Sequence, residues 1–305
     1  MNLSWLEDFL ALAASGNFSR AADERHMTQP AFSRRIRALE DWIGTELFDR
    51  TRQPAMLTEA GEWFRSTAEE VLARVARIPG EARAIAETHS TTLRFAATHA
   101  LSFTFLPAWL RRLEATSAVG PISLVSDVLQ RCETLLLQRD VQFLLSHAHA
   151  DVPSELDAQG YPSLKVGEAV LIPVSLAAAD GSPRHALAAG VAMAGYSPES
   201  GIGRILREVH GAALDGLSTQ TVFTAHLASV LRSVVLDGRG LAWLPQSLMQ
   251  DDLDSGRLVE AAPAEWRIAM EIRLYRDRSA LGEAGESFWN AVRREGAHDD
   301  RSGAR

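Results

Sequence analysis

The sequence predicts an α+β multidomain fold with three parts: an N-terminal winged helix-turn-helix, a long linker helix and a C-terminal two-lobed α/β domain. Three observations predict it. Phe18 to Glu40 has the spacing of two short helices joined by a tight turn. The apolar stripe after Thr58 keeps a helical period too long for so small a neighbouring domain to cover. From Leu93 onward, strand patterns alternate with helix patterns in two successive blocks, as in sheets built with crossover helices.

Leu3, Trp5, Leu6, Phe9, Leu10, Leu12 and Ala13 make an amphipathic first helix that ends at Ser15-Gly16 and packs behind the helix pair. Ser19 is expected to cap the next helix, with Ala21, Ala22 and Met27 as its packing face. Thr28 is expected to cap the one after. Pro30 fits that helix's first turn, where no intrahelical N–H partner is lost. Ala31, Phe32, Ile36 and Leu39 then point inward, leaving Gln29, Ser33, Arg34 and Arg37 outside with no acid between Thr28 and Ala38. Such a face suits a DNA major groove, where Arg pairs with guanine and Gln with adenine. Ile43 to Thr58, with Gly44 and Pro54, suits a β-hairpin or wing that sets Arg50 and Arg52 beside the backbone or minor groove.

These residues carry a family resemblance. Ala21-Ala22, Gln29-Pro30, Ser33, Ile36 and Leu39-Glu40 resemble the DNA-binding motif of LysR-type transcriptional regulators. Phe9, Gly16, Ile43-Gly44, Leu47-Phe48, Arg50, Leu57-Thr58 and Gly61 extend it. The sequence departs from the pattern at Gln53, where a basic residue is usual, and at Arg25, where the wider family has Leu.

Thr58 opens the long helix by capping it, with Glu59 and Glu62 in the first turn. Its stripe of Trp63, Phe64, Thr67, Val71, Leu72 and Val75 is expected to pair with a second subunit, as the resemblance implies; an intramolecular core helix is the alternative. A kink or break is expected at Pro79-Gly80, and a linker at His89 to Thr92. The first block holds strands at 93–98, 122–125 and 141–146, with helices at 101–113 and 128–139. The second holds strands at 169–175, 192–196, 220–223 and 240–245, with helices at 201–210 and 225–236. Trp266 to Arg276 returns to the first block, and Gly285 to Arg294 closes the chain before a polar tail, 296–305, expected to be disordered. The expected domains are 1–58 for DNA, 59–88 for the linker helix and 91–295 for the effector. Lobe I then covers about 91–160 and 266–295, and lobe II about 161–265.

The chain has 305 residues, 46% hydrophobic and 23% charged, and a formal net charge of −8. The acidic balance does not exclude DNA, because Arg34, Arg35 and Arg37 cluster on one helix and local patches neutralise phosphates. The single cysteine excludes an internal disulfide and fits a reducing cytosol. No apolar run suits a membrane span, and the acidic start at Glu7 and Asp8 is not that of a signal peptide.

No Gly-x-Ser-x-Gly, phosphate loop or Cys-x-x-Cys is present, so neither an enzyme nor a cofactor is expected. His147-Ala-His149-Ala-Asp151 has spacing for a metal site but reads better as a loop near the lobe crossing. Cys132 reads as an inert helical thiol. A cleft between lobes is the expected ligand site, because strand ends and helix N-termini converge there. Its candidates are Thr98, His99 and Ser102 in one lobe and Tyr196, Ser197, Arg204, Thr224 and His226 in the other, though each hydroxyl has helix capping as its alternative role.

The two lobes are similar to the effector domain of LysR-type regulators, which has the periplasmic-binding-protein fold, and Asp237 to Pro245 matches its second-lobe motif. Gln29 to Glu40, Thr98 to Ser102 with Leu106-Pro107, Tyr196-Ser197 with Gly203-Arg204, and Arg25 look closest to the family's hypochlorite-responsive branch. That branch is associated with methionine oxidation, yet Ile202 and Leu227 stand where sensing methionines are expected. Met193, Met249 and Met270 lie elsewhere and read as core filler. The resemblance implies double-stranded promoter DNA, a small-molecule or oxidant effector and RNA polymerase as partners, in a homodimer or homotetramer. Gln29, Ser33 and Arg34 would then read bases, Arg37, Arg50 and Arg52 would hold phosphates, and Pro30 belongs to the same DNA-binding set. The competing reading is a cytosolic ligand-binding or enzymatic α/β protein whose N-terminal helices serve only assembly.

Overall fold

The computed structural model describes residues 2–51, 54–86, 91–115, 117 and 119–302. The chain divides into two compact units, Met1–Ala82 and Arg83–Arg305.

The first unit holds α1 (Leu3–Ser15), α2 (Phe18–Glu24) and α3 (Gln29–Ile43), the hairpin strands β1 (Phe48–Asp49) and β2 (Met56–Leu57), and the start of α4 (Glu59–Ala86). Phe9, Leu12, Ala21, Phe32, Ile36, Leu39 and Phe48 are its buried core. Gly16 ends α1 at φ 59, a left-handed turn that returns its N–H to the Leu12 carbonyl. The expected caps are corrected. Asn17, not Ser19, caps α2 by accepting the Ser19 and Arg20 N–H groups. The helix starts two residues early, which lets Phe18 pack edge-on against Phe32 and Phe48. Thr28 holds the cap position of α3 but its side chain makes no capping bond. Thr58 does cap α4, its hydroxyl accepting the Gly61 N–H at 3.0 Å.

The wing forms as an antiparallel pair with Phe48 opposite Leu57. Arg52 and Gln53 lie outside the described residues, as do 87–88 of the linker helix and His89-Ser90 of the linker. The break expected at Pro79-Gly80 does not occur, since α4 runs through Pro79. A helix passes a proline by forgoing one N–H bond while the turns on either side hold. The apolar stripe divides. Phe64 and Ala68 are buried in the first unit's core, whereas Trp63 is 66% and Ile78 52% exposed.

The second unit runs β3 (Leu93–Thr98), α5 (His99–Thr104), α6 (Leu106–Glu114), β4 (Ile122–Asp127), α7 (Leu129–Leu137), β5 (Phe143–Ala148), α8 (Glu155–Ala158) and β6 (Ser163–Leu176). It continues with β7 (Ala192–Tyr196), α9 (Gly201–Gly216), β8 (Gln220–Ala225), α10 (Ala228–Leu236), β9 (Ala242–Pro245), α11 (Gln250–Asp254), β10 (Leu258–Glu260), β11 (Ile268–Arg276) and α12 (Gly282–Ser302). Parallel pairs join β3 with β4 and β5, and β7 with β8, while β6 and β9 of the second block pair antiparallel. At the crossings the pairing is antiparallel, β11 with β5 and β6. Fourteen residues give β6 a reach of about 45 Å. Its first part lies beside β11, and its end beside β9 and β10. One strand therefore serves both lobes, in a seven-stranded sheet ordered β10-β6-β11-β5-β3-β4 with β9 on β6.

Three element boundaries also move. The helix expected over 101–113 is two helices that meet at Phe105, because Pro107 supplies no N–H and begins a new first turn. The helix expected from Ala225 starts at Ala228, since Ala225 still pairs with Tyr196. The tail expected to be disordered from Gly296 instead continues α12 through Gly296 to Ser302. Residues 303–305 lie outside the described residues. Phe95, Trp109, Phe143 and Phe288 fill the first lobe, and Ile205, Leu206, Leu241 and Trp243 the second.

Candidate DNA interface and effector cleft

Phe32, Ile36 and Leu39 anchor α3 with no exposure, which turns Gln29, Pro30, Arg34 and Arg37 to solvent and leaves Ser33 half-buried. The arginines near this face divide into two sets. Arg35 turns inward, with Nε 2.8 Å from the fully buried Asp8 carboxylate and a guanidinium N–H on the Met27 sulfur. Arg25 pairs with Asp8 at 2.9 Å and with Glu7; the Asp8 bond holds its pKa above the ordinary value, with burial opposing. Arg50 pairs with Glu40 and lies over the Phe18 ring at 5.5 Å. Glu40 in turn accepts the Leu47 and Phe48 N–H groups at 2.9 and 3.2 Å, which ties the wing to α3. Glu7, Asp8 and Glu40 are thus paired within the unit, leaving Arg34 and Arg37 as the exposed cations of α3. A groove lined by Ser15, Asn17, Ser19, Gln29, Arg50 and Pro54 runs alongside.

In the second unit a cavity of about 40 Å³ lies where the lobes meet. Thr98, His99 and His226 line it, as the sequence predicts, and the two imidazoles face each other with centroids 6.2 Å apart. His99 Nδ1 is 3.0 Å from the Ser126 hydroxyl. Burial lowers the His99 pKa, against the pull of Asp127. Ser102 is not on the lining; it donates to Ser126 at 2.9 Å and so supports His99 from behind. Tyr196, Ser197, Arg204 and Thr224 are not on the lining either. Tyr196 stacks under Gly203 instead, its buried hydroxyl without a partner and its pKa pushed up by burial.

Sequence reasoning missed most of the wall: Asp127, Leu129, His147, Ser200, Gly201 and Ala228. Gly201 is required there, because a Cβ would sit 2.7 Å from the Leu129 side chain of the facing lobe. His147 belongs to β5 rather than to a loop and is 6% exposed, with both ring nitrogens unpartnered. Burial pushes it down to about 4, so it is neutral at pH 7. Its sequence neighbours His149 and Asp151 form only a local turn, with the Asp151 N–H 3.3 Å from His149 Nδ1. Among the described residues no group of three or more His, Cys, Asp or Glu has metal-holding geometry. Cys132 is fully buried and its thiol is pushed up to about 12, mainly by burial, which suppresses the thiolate. Beside it Glu133 is buried and pushed up to about 7 by desolvation, with Arg204 opposing.

Residues 3–62 match the bacterial regulatory helix-turn-helix proteins of the lysR family, and residues 86–297 match the LysR substrate binding domain. Fold and site define a DNA-binding transcriptional regulator with an effector-binding domain. The chain belongs to the LysR family, whose members here are regulators and not enzymes. It is 32% identical over 292 residues to the HTH-type transcriptional regulator YjiE of Escherichia coli K12, covering 95% of this chain and 93% of that one. Full-length HypT from Salmonella typhimurium, described as a hypochlorite-specific LysR-type regulator, is 29% identical with a TM-score of 0.59, covering 98% and 99% of the two chains. DarR of Vibrio fischeri, solved in complex with DNA, is 29% identical with a TM-score of 0.55, covering 96% and 98%. Among the described residues no helix is long and apolar enough to cross a membrane.

Proposed function

We propose that α3 reads promoter DNA through Gln29, Pro30, Ser33 and Arg34, while Arg37, Arg50 and Arg52 hold phosphates. The proposed domains are 1–58 for DNA, 59–88 for the linker helix and 91–295 for the effector. The observation that carries the DNA assignment is the polarity of α3: three buried apolar residues fix the helix, and Gln29, Arg34 and Arg37 are left on its exposed face. Arg50 acts while still bound to Glu40, as a positioned charge at the wing. Exposed Trp63 and Ile78 support α4 as the surface that joins copies into a homodimer or homotetramer in the cytoplasm, with RNA polymerase as a further partner. The lobe cleft takes the effector, and Thr98, His99 and His226 contact it.

The test is fluorescence anisotropy on a duplex from the chain's own upstream region, across a salt series. Binding should weaken steeply with salt, because phosphate neutralisation releases counterions. Arg34→Ala is expected to weaken specific binding by about 1–3 kcal/mol, the value of a bidentate base contact. An unchanged footprint and affinity would remove Arg34 from the interface.

Hypochlorite is the effector suggested by likeness to HypT. Ile202 and Leu227 line the cleft, and no methionine or cysteine does. Met249 and Met270 are 1% and 3% exposed, whereas Met56 on the wing is 50% exposed. A mild dose of hypochlorite should therefore oxidise Met56 first, and reversal by a methionine-sulfoxide reductase should restore DNA affinity. Peptide mapping that finds sulfoxide first at Met249 or Met270 would contradict this order.

A further inference from the structure

Helix α7 of one lobe and α9 of the other begin against each other at the cleft wall. Leu129 opens α7 and Gly201 opens α9, and a Cβ on Gly201 would stand 2.7 Å from the Leu129 side chain. Residues three or four positions apart share a helix face. Glu133, four beyond Leu129, and Arg204, three beyond Gly201, are therefore carried one turn further along the two facing stripes. An acid of one lobe thus meets a cation of the other behind the cavity wall.

Neither group is fully paired. Glu133 is 5% exposed, and its Oε1 has no hydrogen-bond partner. The Arg204 Nε is buried without a partner as well. Hydroxyls on the neighbouring elements are already committed, since Ser154 and Tyr275 donate to Asp157 at 2.8 and 3.0 Å. A buried carboxylate with one oxygen lacking a donor is costly when ionised and far less so when neutral.

The surrounding charges act in both directions. Glu155 and Asp157 on α8 repel a negative Glu133, Arg204 on α9 attracts it, and the Glu155 N–H bonds to it. On α7 itself its neighbours are the exposed Arg131 and the buried thiol of Cys132. Burial outweighs the attraction and pushes Glu133 up to about 7.

We propose that the α7–α9 seam is a proton-controlled gate: the lobes close on a protonated Glu133, and loss of that proton opens them. Closed, the seam holds a neutral acid; open, water reaches the carboxylate and Arg204 alike. The closed state therefore binds the proton more tightly, so rising pH favours the open state. Arg204 limits the effect, because its attraction across the seam favours ionised Glu133 in the closed state too. The gate belongs to the second unit and works whatever the cleft binds.

The test places a single thiol at the seam of the full chain, Leu129→Cys with Cys132→Ser, and follows its labelling by dithiodipyridine. Rates are divided by those of the urea-unfolded chain at the same pH, which removes the titration of the thiol itself. With Glu133 in place, labelling should rise by roughly tenfold between pH 5.5 and pH 8, within the limit that a shift from 4.5 to about 7 sets. Glu133→Gln should keep labelling low and flat over that range, and slower labelling cannot come from misfolding. Arg204→Met should steepen the rise. Should Leu129→Cys fail to fold, Ile202→Cys gives the same readout from the opposite lobe, at a cavity residue that is 9% exposed. The proposal is overturned if labelling stays flat with Glu133 in place, if the rise survives Glu133→Gln, or if Arg204→Met leaves it unchanged.

Discussion

Asp8→Ala is expected to destabilise the DNA-binding unit by about 3–5 kcal/mol, the loss typical when one member of a buried ion network is removed. Asp8 has no exposure and stands between the Arg25 and Arg35 guanidinium groups. Both arginines are about 30% exposed, so each loses part of its hydration in exchange for that carboxylate. Removing it leaves two like charges facing each other over α1, with Glu7 holding only Arg25. The damage should pass to DNA binding, because Arg35 joins α1 to the recognition helix. Urea denaturation and anisotropy on the upstream duplex check both parts. Arg25→Leu, which restores the residue usual in the family, leaves Asp8 with Arg35 and should cost much less. Equal losses in the two variants would show that the Arg25 pair, and not the buried carboxylate, carries the stability.

The recognition helix was legible because its period needs no long-range information. Phe32, Ile36 and Leu39 define the buried face, and Pro30 marks the first turn. Arg50 was legible only as a charge. Its partner Glu40 lies ten residues away on another element, and no local pattern reports such a pairing. The lobes were readable block by block, but β6 was not, since its half-exposed first part lacks the alternation of a strand with one partner. His147 was the largest miss. In sequence it sits in His-Ala-His-Ala-Asp, a polar run that reads as a loop, and it is the packing of the opposite lobe over the end of β5 that buries it.

The burial of His147 makes the effector unit sensitive to acid. The side chain is held near 4 in the folded protein and titrates near 6.5 when unfolded. Below 6.5 the unfolded chain therefore binds a proton that the folded chain refuses. Its stabilising contribution is complete above that pH and is lost as pH falls towards 4. The expected loss is about 2 kcal/mol between pH 7 and pH 5, and about 3 kcal/mol by pH 4. Glu133 runs the other way: held near 7 and starting from 4.5, it contributes fully below 4.5 and loses that contribution as pH rises through 7. The two groups largely offset each other in the intact protein, so a single melting curve against pH would conceal both. Variants separate them. His147→Leu should remove the acid-side loss, making the unit relatively more stable at pH 5 than at pH 7 when each is compared with wild type. Glu133→Gln should stabilise at pH 8 and leave pH 4 nearly unchanged. Urea denaturation followed by the buried tryptophans Trp109, Trp243 and Trp289 reads the second unit. If His147→Leu changes in stability between pH 7 and pH 5 just as wild type does, the folded and unfolded pKa values of His147 coincide and burial does not hold it neutral.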